Sequence, residues 1–198
     1  SLVGSEMCIR DSPNKPKQFF YLGDKPILVH TLEKFCAAGS FDGVLVLTPA
    51  TWVQQTKDII AKHCPQYADA VNVIAGGAER NDTIMNAIRY FEDECQADDA
   101  SIIVTHDAVR PFVSLRIIED NIAAALAHGA CDTVVPATDT IVESLDGELI
   151  SSIPNRSVLY QGQTPQSFNM RELRETLESL TPEELSLIHI SEPTRLAL

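Results

Sequence analysis

Short apolar, β-branched runs alternate along the chain with longer segments in which apolar residues recur at helical spacing. Each run is nearly continuous in apolar residues, which is typical of strands that are covered on both faces of a parallel sheet. The alternation predicts an α/β fold, a doubly wound and mostly parallel Rossmann-like sheet with right-handed crossovers. The predicted strands are 43–48, 71–75, 101–105 and 132–137, and the predicted helices are 26–38, 51–63, 82–95 and 114–128.

A last amphipathic helix is predicted over 169–180. Polar residues and glycines mark the expected ends of the helices. A short polar side chain at the N-cap accepts a hydrogen bond from the free backbone N–H groups of the first turn. Glycine suits the left-handed conformation that often ends a helix. The expected N-caps are Thr51, Ser114 and Asn169, and the expected stops are Gly39 and Gly129.

The strand and helix alternation ends after Ala137. Two short runs, 140–144 and 148–153, flank Asp146-Gly147, which is a strong signal for a tight β-hairpin. We therefore predict an inserted β-hairpin arm over 140–161. The arm either reaches a partner subunit or lies as a surface meander on its own domain.

Composition and charge exclude several classes of protein. The 198 residues carry 15 Lys+Arg against 28 Asp+Glu, a formal net charge of −13. One compact domain is expected at this length. The acidic balance argues against a duplex nucleic-acid partner, which requires clustered Lys and Arg. No apolar run approaches the roughly 18 residues of a membrane span, and five cysteines without a C-x-x-C pair favour the reducing cytoplasm.

A glycine pair follows the predicted strand 71–75 and leads into the next helix. Gly76 and Gly77 let backbone N–H groups approach a ligand closely, and a helix N-terminus favours an anion. Arg80 and Thr83 follow in positions to contact a phosphate or a base. The stretch is either an ordinary strand-to-helix turn or a nucleotide site, and its two polar side chains favour the site.

A second polar loop follows the predicted strand 101–105. Asp107 stands directly at the strand end, where its oxygens are well placed to hold Mg²⁺, and Arg110 could neutralise a phosphate or orient the carboxylate. Alternatively, Asp107 satisfies donors of its own loop and pairs with Arg110 structurally. For four of the five histidines, a core or surface role is clearly the better interpretation. For His106, which stands beside this loop, a functional role stays open.

Lys17 stands between a proline and an aromatic pair near the start of the chain. A positioned ammonium group is a compact charge suited to a phosphate that undergoes transfer. A lysine in front of a helix is usually just solvated, so taken alone the pattern is a weak signal.

Together these segments resemble the sugar-alcohol phosphate cytidylyltransferases, the family of the methylerythritol phosphate and ribitol phosphate enzymes. The resemblance runs from about Pro16 to Glu184, and the corresponding domain is set at 13–184. Five ordered motifs at family-like spacing carry it: PKQF at 16–19, GGAERNDT at 76–83, THDAVRPF at 105–112, DTIVES at 139–144 and GQTPQSF at 162–168.

The resemblance implies a homodimeric enzyme in which the phosphate of a polyol phosphate attacks the α-phosphorus of CTP and pyrophosphate leaves. By matching positions, Lys17 would stabilise the charge that develops on the triphosphate, and Asp107 would hold Mg²⁺. The nucleotide-binding positions would be Gly76, Gly77, Arg80, Thr83, Ala108 and Arg110. The positions that contact the polyol phosphate would be Thr140, Arg156 and Thr164, with Arg156 on an arm that can reach across a dimer.

Two features favour the ribitol branch of the family. Val142 stands where the methylerythritol branch usually has a lysine, and the stretch 159–168 is similar to the ribitol enzymes. The expected acceptor is therefore ribitol 5-phosphate, with 2-C-methyl-D-erythritol 4-phosphate as the alternative.

Both ends of the chain depart from the family pattern. SLVGSEMCIRDS lacks the glycine-rich loop that opens the family, and the family's T-D-A and N-I-K-x-T segments do not follow the last helix. Because SEMCIRDS and LSLIHISEPTR resemble translated sequencing-adapter DNA, residues 1–12 and 185–198 are expected to be non-native. Two competing classes stay open: a nucleotide-binding fragment without turnover, and another sugar or nucleotide transferase of similar fold. Many glycosyltransferases of that kind carry a D-x-D metal motif, which the chain lacks.

Overall fold

The computed structural model of the chain describes residues 2–4, 15–179 and 195–197. Within them, the strands form a seven-stranded sheet and a separate two-stranded ribbon. The strands are β1 (Leu2–Gly4), β2 (Tyr21–Leu22), β3 (Lys25–Pro26), β4 (Val44–Thr48), β5 (Val71–Ala75), β6 (Ile102–His106), β7 (Ala130–Pro136), β8 (Tyr160–Asn169) and β9 (Arg195–Ala197). The helices are α1 (Ile27–Ala38), α2 (Val53–His63), α3 (Arg80–Cys95), α4 (Leu115–His128) and α5 (Met170–Ser179).

The main sheet confirms the predicted α/β class and adds three strands that the sequence does not predict, β1, β8 and β9. Its order is β5-β4-β1-β6-β8-β7-β9. β5, β4, β1 and β6 run parallel, whereas β8 is antiparallel to both β6 and β7. The run Tyr160–Asn169 is rich in polar residues. Because it lacks the continuous apolar character of a buried parallel strand, the sequence pattern misses it.

Alternate residues of the central strands pack on opposite faces of the sheet, as the two-residue period of a strand requires. Val46 of β4 and Val104 of β6 belong to the core beneath α1, α2 and α4. Leu45 of β4 and Ile103 of β6 belong to the core beneath α3 and α5. We call these sides the α1 face and the α3 face.

Most of the expected helix ends are confirmed. The Ser114 hydroxyl accepts a hydrogen bond from the third residue of α4, and the Asn169 side chain caps α5 in the same way. Gly39 and Gly129 follow α1 and α4 with φ angles of 66° and 84°. The expected N-cap at Thr51 is wrong. Thr51 lies inside a short 3-10 turn that closes on the carbonyl of Pro49, and α2 begins only at Val53.

The prediction of a β-hairpin with two regular strands, 140–144 and 148–153, is wrong. Between 140 and 153 the only bridge among the described residues joins Glu143 to Ser152. The Asp146 carboxylate instead closes the turn by accepting hydrogen bonds from the backbone of Leu149 and Glu148, both at 2.9 Å. These backbone donors lower the pKa of Asp146. A side-chain-capped turn therefore shapes the arm.

Several other expectations concern features of the whole chain. Among the described residues, none of the helices has the length and apolar character needed to cross a membrane. Cys36, Cys64, Cys95 and Cys131 are free thiols. The segments expected to be non-native lie mostly outside the described residues, apart from β1 and β9. The prediction about their origin therefore stays a prediction.

Candidate active site

A cavity of about 520 Å³ opens at the carboxyl end of β6 and extends over β8 and β7. In an open α/β sheet, ligands bind at this edge of the strands. Residues from α3, from the loop after β6, from β7 and from the stretch 158–166 line it. Those that carry polar side chains are Arg80, Asp107, Arg110, Asp132, Tyr160, Gln163, Thr164 and Gln166.

Asp107 and two arginines form the charged centre of the cavity. Arg110 donates from Nε to Oδ2 of Asp107 at 2.9 Å, and Nη1 of Arg80 lies 3.6 Å from Oδ1. The two cations come from different elements: Arg80 begins α3, and Arg110 lies in the loop after β6. The predicted pairing of Asp107 with Arg110 is therefore confirmed. The side chain of Asp107 remains about one quarter exposed, at 26%.

Two glutamines of the β8 segment hold the arginines in place. Arg110 donates to Oε1 of Gln163 at 2.6 Å, and Arg80 donates to Oε1 of Gln166 at 3.2 Å. Because each guanidinium is tied to a neutral amide as well as to Asp107, its planar fork is oriented before any ligand arrives. The sequence reasoning did not select either glutamine, although both belong to the quoted GQTPQSF motif.

A bulge between Asp132 and Val134 shapes the far wall of the cavity. There, residues 163–165 of β8 lie opposite Thr133 alone. The Thr133 hydroxyl donates to the carbonyl oxygen of Pro165 at 2.7 Å, which anchors the bulged strand. Bulges of this kind re-aim side chains beside active sites.

The bulged stretch contacts the loop after β6. The hydroxyl of Thr164 accepts a hydrogen bond from the backbone N–H of Asp107 at 3.3 Å. The structure thus brings Thr164, which the resemblance assigns to the polyol phosphate, against the backbone of Asp107, the residue that it assigns to Mg²⁺.

The start of α3 is built around the glycine pair. The hydroxyl of Thr83 accepts a hydrogen bond from the N–H of Gly77 and donates one to the carbonyl of Glu79, both at 2.9 Å. Glu79 and Asp82 form a reciprocal capping box, so α3 begins two residues earlier than predicted. The N–H of Gly76 donates to the carbonyl of Thr48 at 2.9 Å. Thr83 is buried and holds the turn together.

Ala108 occupies a fixed position next to Asp107. It is buried, and its carbonyl accepts a hydrogen bond from the Thr31 hydroxyl of α1 at 2.8 Å. The loop after β6 is therefore clamped from the α1 face while its charged side chains point into the cavity.

His106 is a core residue, so the suspicion of a functional role for its side chain is not supported. Only 3% exposed, it packs on Phe35 with ring centroids 4.8 Å apart. Its Nε2 lies 3.0 Å from the carbonyl of Arg110, so Nε2 carries the proton and donates. Burial lowers the pKa of His106 to about 4 and keeps the ring neutral.

Seven of the predicted site residues do not line the cavity. Four of them, Gly76, Gly77, Thr83 and Ala108, are described above, and the other three are Lys17, Thr140 and Arg156. Lys17 begins a 3-10 turn. Phe19, in the same turn, is buried and packs against Trp52. Thr140 is exposed on the arm. Arg156, also exposed, donates to the carbonyl of Thr138 at 2.8 Å. The roles of these three residues stay predictions.

The site residues fit a nucleotide-borne Mg²⁺ ion. Among the described residues, no cluster of three or more metal-ligating side chains occurs. Mg²⁺, however, is usually held by one or two carboxylates together with substrate phosphates and water. Asp107 offers one such carboxylate, and its Oδ1 is only loosely engaged by Arg80 at 3.6 Å.

An α/β sheet that presents a glycine-rich helix start, two arginines and one carboxylate at its carboxyl edge defines a protein of the nucleotide-binding class. The sequence model of the IspD family, described as 2-C-methyl-D-erythritol 4-phosphate cytidylyltransferase, matches residues 4–187. The chain therefore belongs to this family of cytidylyltransferases, which confirms the resemblance inferred from the motifs.

Known relatives support the same assignment. A ribitol-5-phosphate cytidylyltransferase from Lactiplantibacillus plantarum is 50% identical over 169 residues, which is 85% of this chain and 71% of the relative. The crystal structure of a 4-diphosphocytidyl-2C-methyl-D-erythritol synthase is 26% identical, with a TM-score of 0.76 over 98% of this chain and 86% of that one. A synthase of the same name from Anaerococcus prevotii has a TM-score of 0.74 over 99% and 84% of the two chains; at 20% identity it supports the fold alone.

Proposed function

We propose that the chain transfers CMP from CTP to ribitol 5-phosphate. A phosphate oxygen of the acceptor forms a bond to the α-phosphorus of CTP, and the bond from that phosphorus to the bridging oxygen breaks. Pyrophosphate leaves, and the products are CDP-ribitol and pyrophosphate. The relative with 50% identity, which is named for ribitol 5-phosphate, supports this acceptor over methylerythritol phosphate.

The observation that carries the proposal is the pair of oriented arginines beside Asp107. Phosphoryl transfer depends mainly on positioning and on electrostatic stabilisation of charge on the phosphate oxygens. Arg80 and Arg110 supply two fixed cations with bidentate forks, which match the geometry of phosphate. We assign Mg²⁺ to Asp107, where the ion would neutralise negative charge on the nucleotide phosphates.

Pyrophosphate release tests the proposal. The chain is supplied with CTP and Mg²⁺ and with either ribitol 5-phosphate or 2-C-methyl-D-erythritol 4-phosphate. Arg80→Gln should lower kcat/KM by roughly 100-fold or more, the loss typical of one preorganised donor. Arg116→Gln, at an exposed position of α4, is the matched control and should leave it unchanged. No release with either acceptor would refute the transfer, and a preference for the methylerythritol substrate would refute the assigned acceptor.

We propose further that the arm pairs with a second copy of the chain. Its apolar side chains are exposed to an extent that is unusual for a surface segment: Leu145 at 95%, Leu149 at 72% and Ile153 at 62%. Contiguous exposed apolar residues mark interaction surfaces. Arg156 on the same arm lies outside the cavity of its own chain, which fits a role in the neighbouring site.

Mixing two inactive variants tests the shared site. Lys17→Ala should lower kcat and kcat/KM together if Lys17 acts in the transition state. A mixture of Lys17→Ala and Arg156→Ala chains should recover about a quarter of the wild-type activity, because one composite site of each mixed dimer is intact. Failure to recover activity, in dimers shown by mass spectrometry to exchange subunits, would place Arg156 outside the partner's site. A monomer in analytical ultracentrifugation would refute the pairing itself.

The proposed compartment is the reducing cytoplasm. The four free thiols in the described part of the chain fit a reducing environment.

A further inference from the structure

Asp132 is a buried carboxylate in the wall of the cavity, and the proposed transfer chemistry does not use it. Only 7% of the residue is exposed. It lies in β7 directly opposite Gln166 of β8, whose side chain contacts Arg80. A Cβ atom at Gly162 would stand 3.6 Å from Oδ2 of Asp132, in van der Waals contact. The absence of a side chain at Gly162 therefore leaves that side of the carboxylate open to the cavity.

Asp132 shares its side of the sheet with the charged centre. Thr105 of β6, Gln166 of β8 and Asp132 form one row of paired positions across three strands. Because the Gln166 side chain contacts Arg80 at the start of α3, the side chains of this row lie on the α3 face. Asp132 thus lies beside the arginines, not behind the sheet.

The strand order places Asp132 at the acceptor end of the site. The glycine pair that precedes α3 follows β5, Asp107 follows β6, and β7 lies two strands beyond β6. Since neighbouring strands are about 4.8 Å apart, β7 is roughly 10 Å from β6, on the side away from the glycine pair. A nucleotide bound at the glycine pair would have its phosphates at Arg80 and Asp107. The acceptor, which receives the transferred CMP group, would then lie on the side of β7.

The chemistry of a buried carboxylate limits what it can bind. An ionised carboxylate has two oxygens that only accept hydrogen bonds, so it favours hydroxyl groups and repels phosphate. A hydroxyl that donates to a charged group forms one of the stronger hydrogen bonds available in a binding site. A methyl group in the same place can donate no hydrogen bond to the carboxylate.

We propose that Asp132 selects the acceptor by taking hydrogen bonds from hydroxyl groups of the polyol chain, while the arginines take the phosphate end. The inference rests on the proposed function and deepens it. Asp132 is the residue that favours a fully hydroxylated acceptor over one that carries a methyl group.

Calorimetric binding of CDP-ribitol and of CMP tests this role without requiring turnover. Asp132→Asn keeps the size of the side chain and removes its charge. We expect the affinity for CDP-ribitol to fall about 10- to 100-fold, the range of a lost hydrogen bond to a charged group. The affinity for CMP should stay within about 2-fold, because CMP lacks the polyol. Asp120→Asn, at an exposed position of α4, should change neither affinity.

Deoxy analogues of CDP-ribitol, each lacking one polyol hydroxyl, locate the contact. For the analogue that lacks the hydroxyl bound by Asp132, the affinity should be the same in the wild type and in Asp132→Asn. For every other analogue, the substitution should lower the affinity as much as it does for CDP-ribitol. This non-additivity is the signature of a direct contact. Asp132→Val should weaken CDP-ribitol binding and raise the relative affinity for CDP-methylerythritol.

Several results would overturn the inference. Equal losses for CMP and CDP-ribitol in both Asp132 variants would mean that Asp132 acts only through the fold. Unchanged CDP-ribitol affinity would show that the carboxylate makes no contact with the polyol. A wild-type chain that binds CMP but not CDP-ribitol would instead refute the proposed acceptor, and the Asp132 assignment with it. The wild-type result and the variant results thus separate the two failures.

Discussion

Replacing Gly77 with alanine tests whether the start of α3 forms the nucleotide side of the site. A Cβ atom on Gly77 would stand 2.2 Å from Cβ of Asp82 and 2.9 Å from the backbone nitrogen of Thr83. The obstacle is the first turn of α3 itself, so no side-chain rotation relieves it. Glycine is required at position 77 because the chain folds back onto the start of α3. This steric requirement is separate from any close approach of a ligand to the backbone.

The size of the effect follows from these contacts. The added methyl group overlaps Cβ of Asp82 by more than an ångström and also presses on the backbone of the helix start. Such overpacking costs about 1–3 kcal/mol. For a domain of this size that corresponds to a fall in Tm of roughly 2–12 °C. The same shift would move the N–H of Gly77 from the hydroxyl of Thr83 and displace the loop. A displacement of about 1 Å in a positioning group costs about 100-fold in kcat/KM.

The matched control is the neighbouring glycine. A Cβ at Gly76 would meet the side chain of Thr83, with the hydroxyl nearest at 3.1 Å, so Gly76→Ala requires a shift of a few tenths of an ångström. Differential scanning fluorimetry and calorimetric titration with CTP should show a large loss for Gly77→Ala and a small one for Gly76→Ala. Equal effects of the two variants on CTP affinity would refute this account of the loop.

Two further predictions concern the end of β6 and the loop after it. Asp107→Asn should lower turnover by about 100-fold or more without loss of fold, because a metal-held phosphate contributes several kcal/mol of stabilisation; unchanged activity at limiting Mg²⁺ would rule out that role. Burial holds the pKa of His106 at about 4 in the folded chain, below its ordinary value of 6.5. The unfolded chain therefore binds this proton first, and between pH 6.5 and 4 the free energy of unfolding should fall by roughly 3 kcal/mol as the pH drops. Denaturant titrations at several pH values should show a smaller fall in His106→Gln, and the same fall in both chains would contradict the assignment.

The elements that local pattern could predict are short runs of mostly apolar residues. The strand 71–75 was predicted to the residue, because a short apolar run there ends at a glycine pair. The strand predicted over 101–105 spans Ile102–His106, so the prediction lies one residue early at both ends. Its end was missed because a histidine interrupts the apolar run, although the histidine ring lies in the core. Errors of this kind arise where tertiary burial overrides the polarity of a side chain.

The candidate site was predictable only in part for a related reason. Arg80, Asp107 and Arg110 follow strands or begin helices, and the rule that parallel strands end at one edge brings them together without further information. Gln163, Gln166 and Asp132 reach the cavity only through the pairing of β8 with two distant strands. No local pattern in a single sequence specifies that long-range register, although a carboxylate in the apolar run of β7 is itself an unusual signal.

The reversal of strand direction at β8 explains why the site has two chemically different ends. β8 pairs with β6 only through residues 166–169, so its first part projects past the end of β6 and pairs with β7 alone. The bulge then turns Gln163 toward Arg110 and Thr164 toward the backbone of Asp107. The parallel strands thus supply the cationic, glycine-rich end that suits a triphosphate, whereas the antiparallel pair supplies neutral amide and hydroxyl groups and one carboxylate. Such an end suits a polyhydroxylated acceptor, because its groups bind hydroxyls without competing for the phosphates.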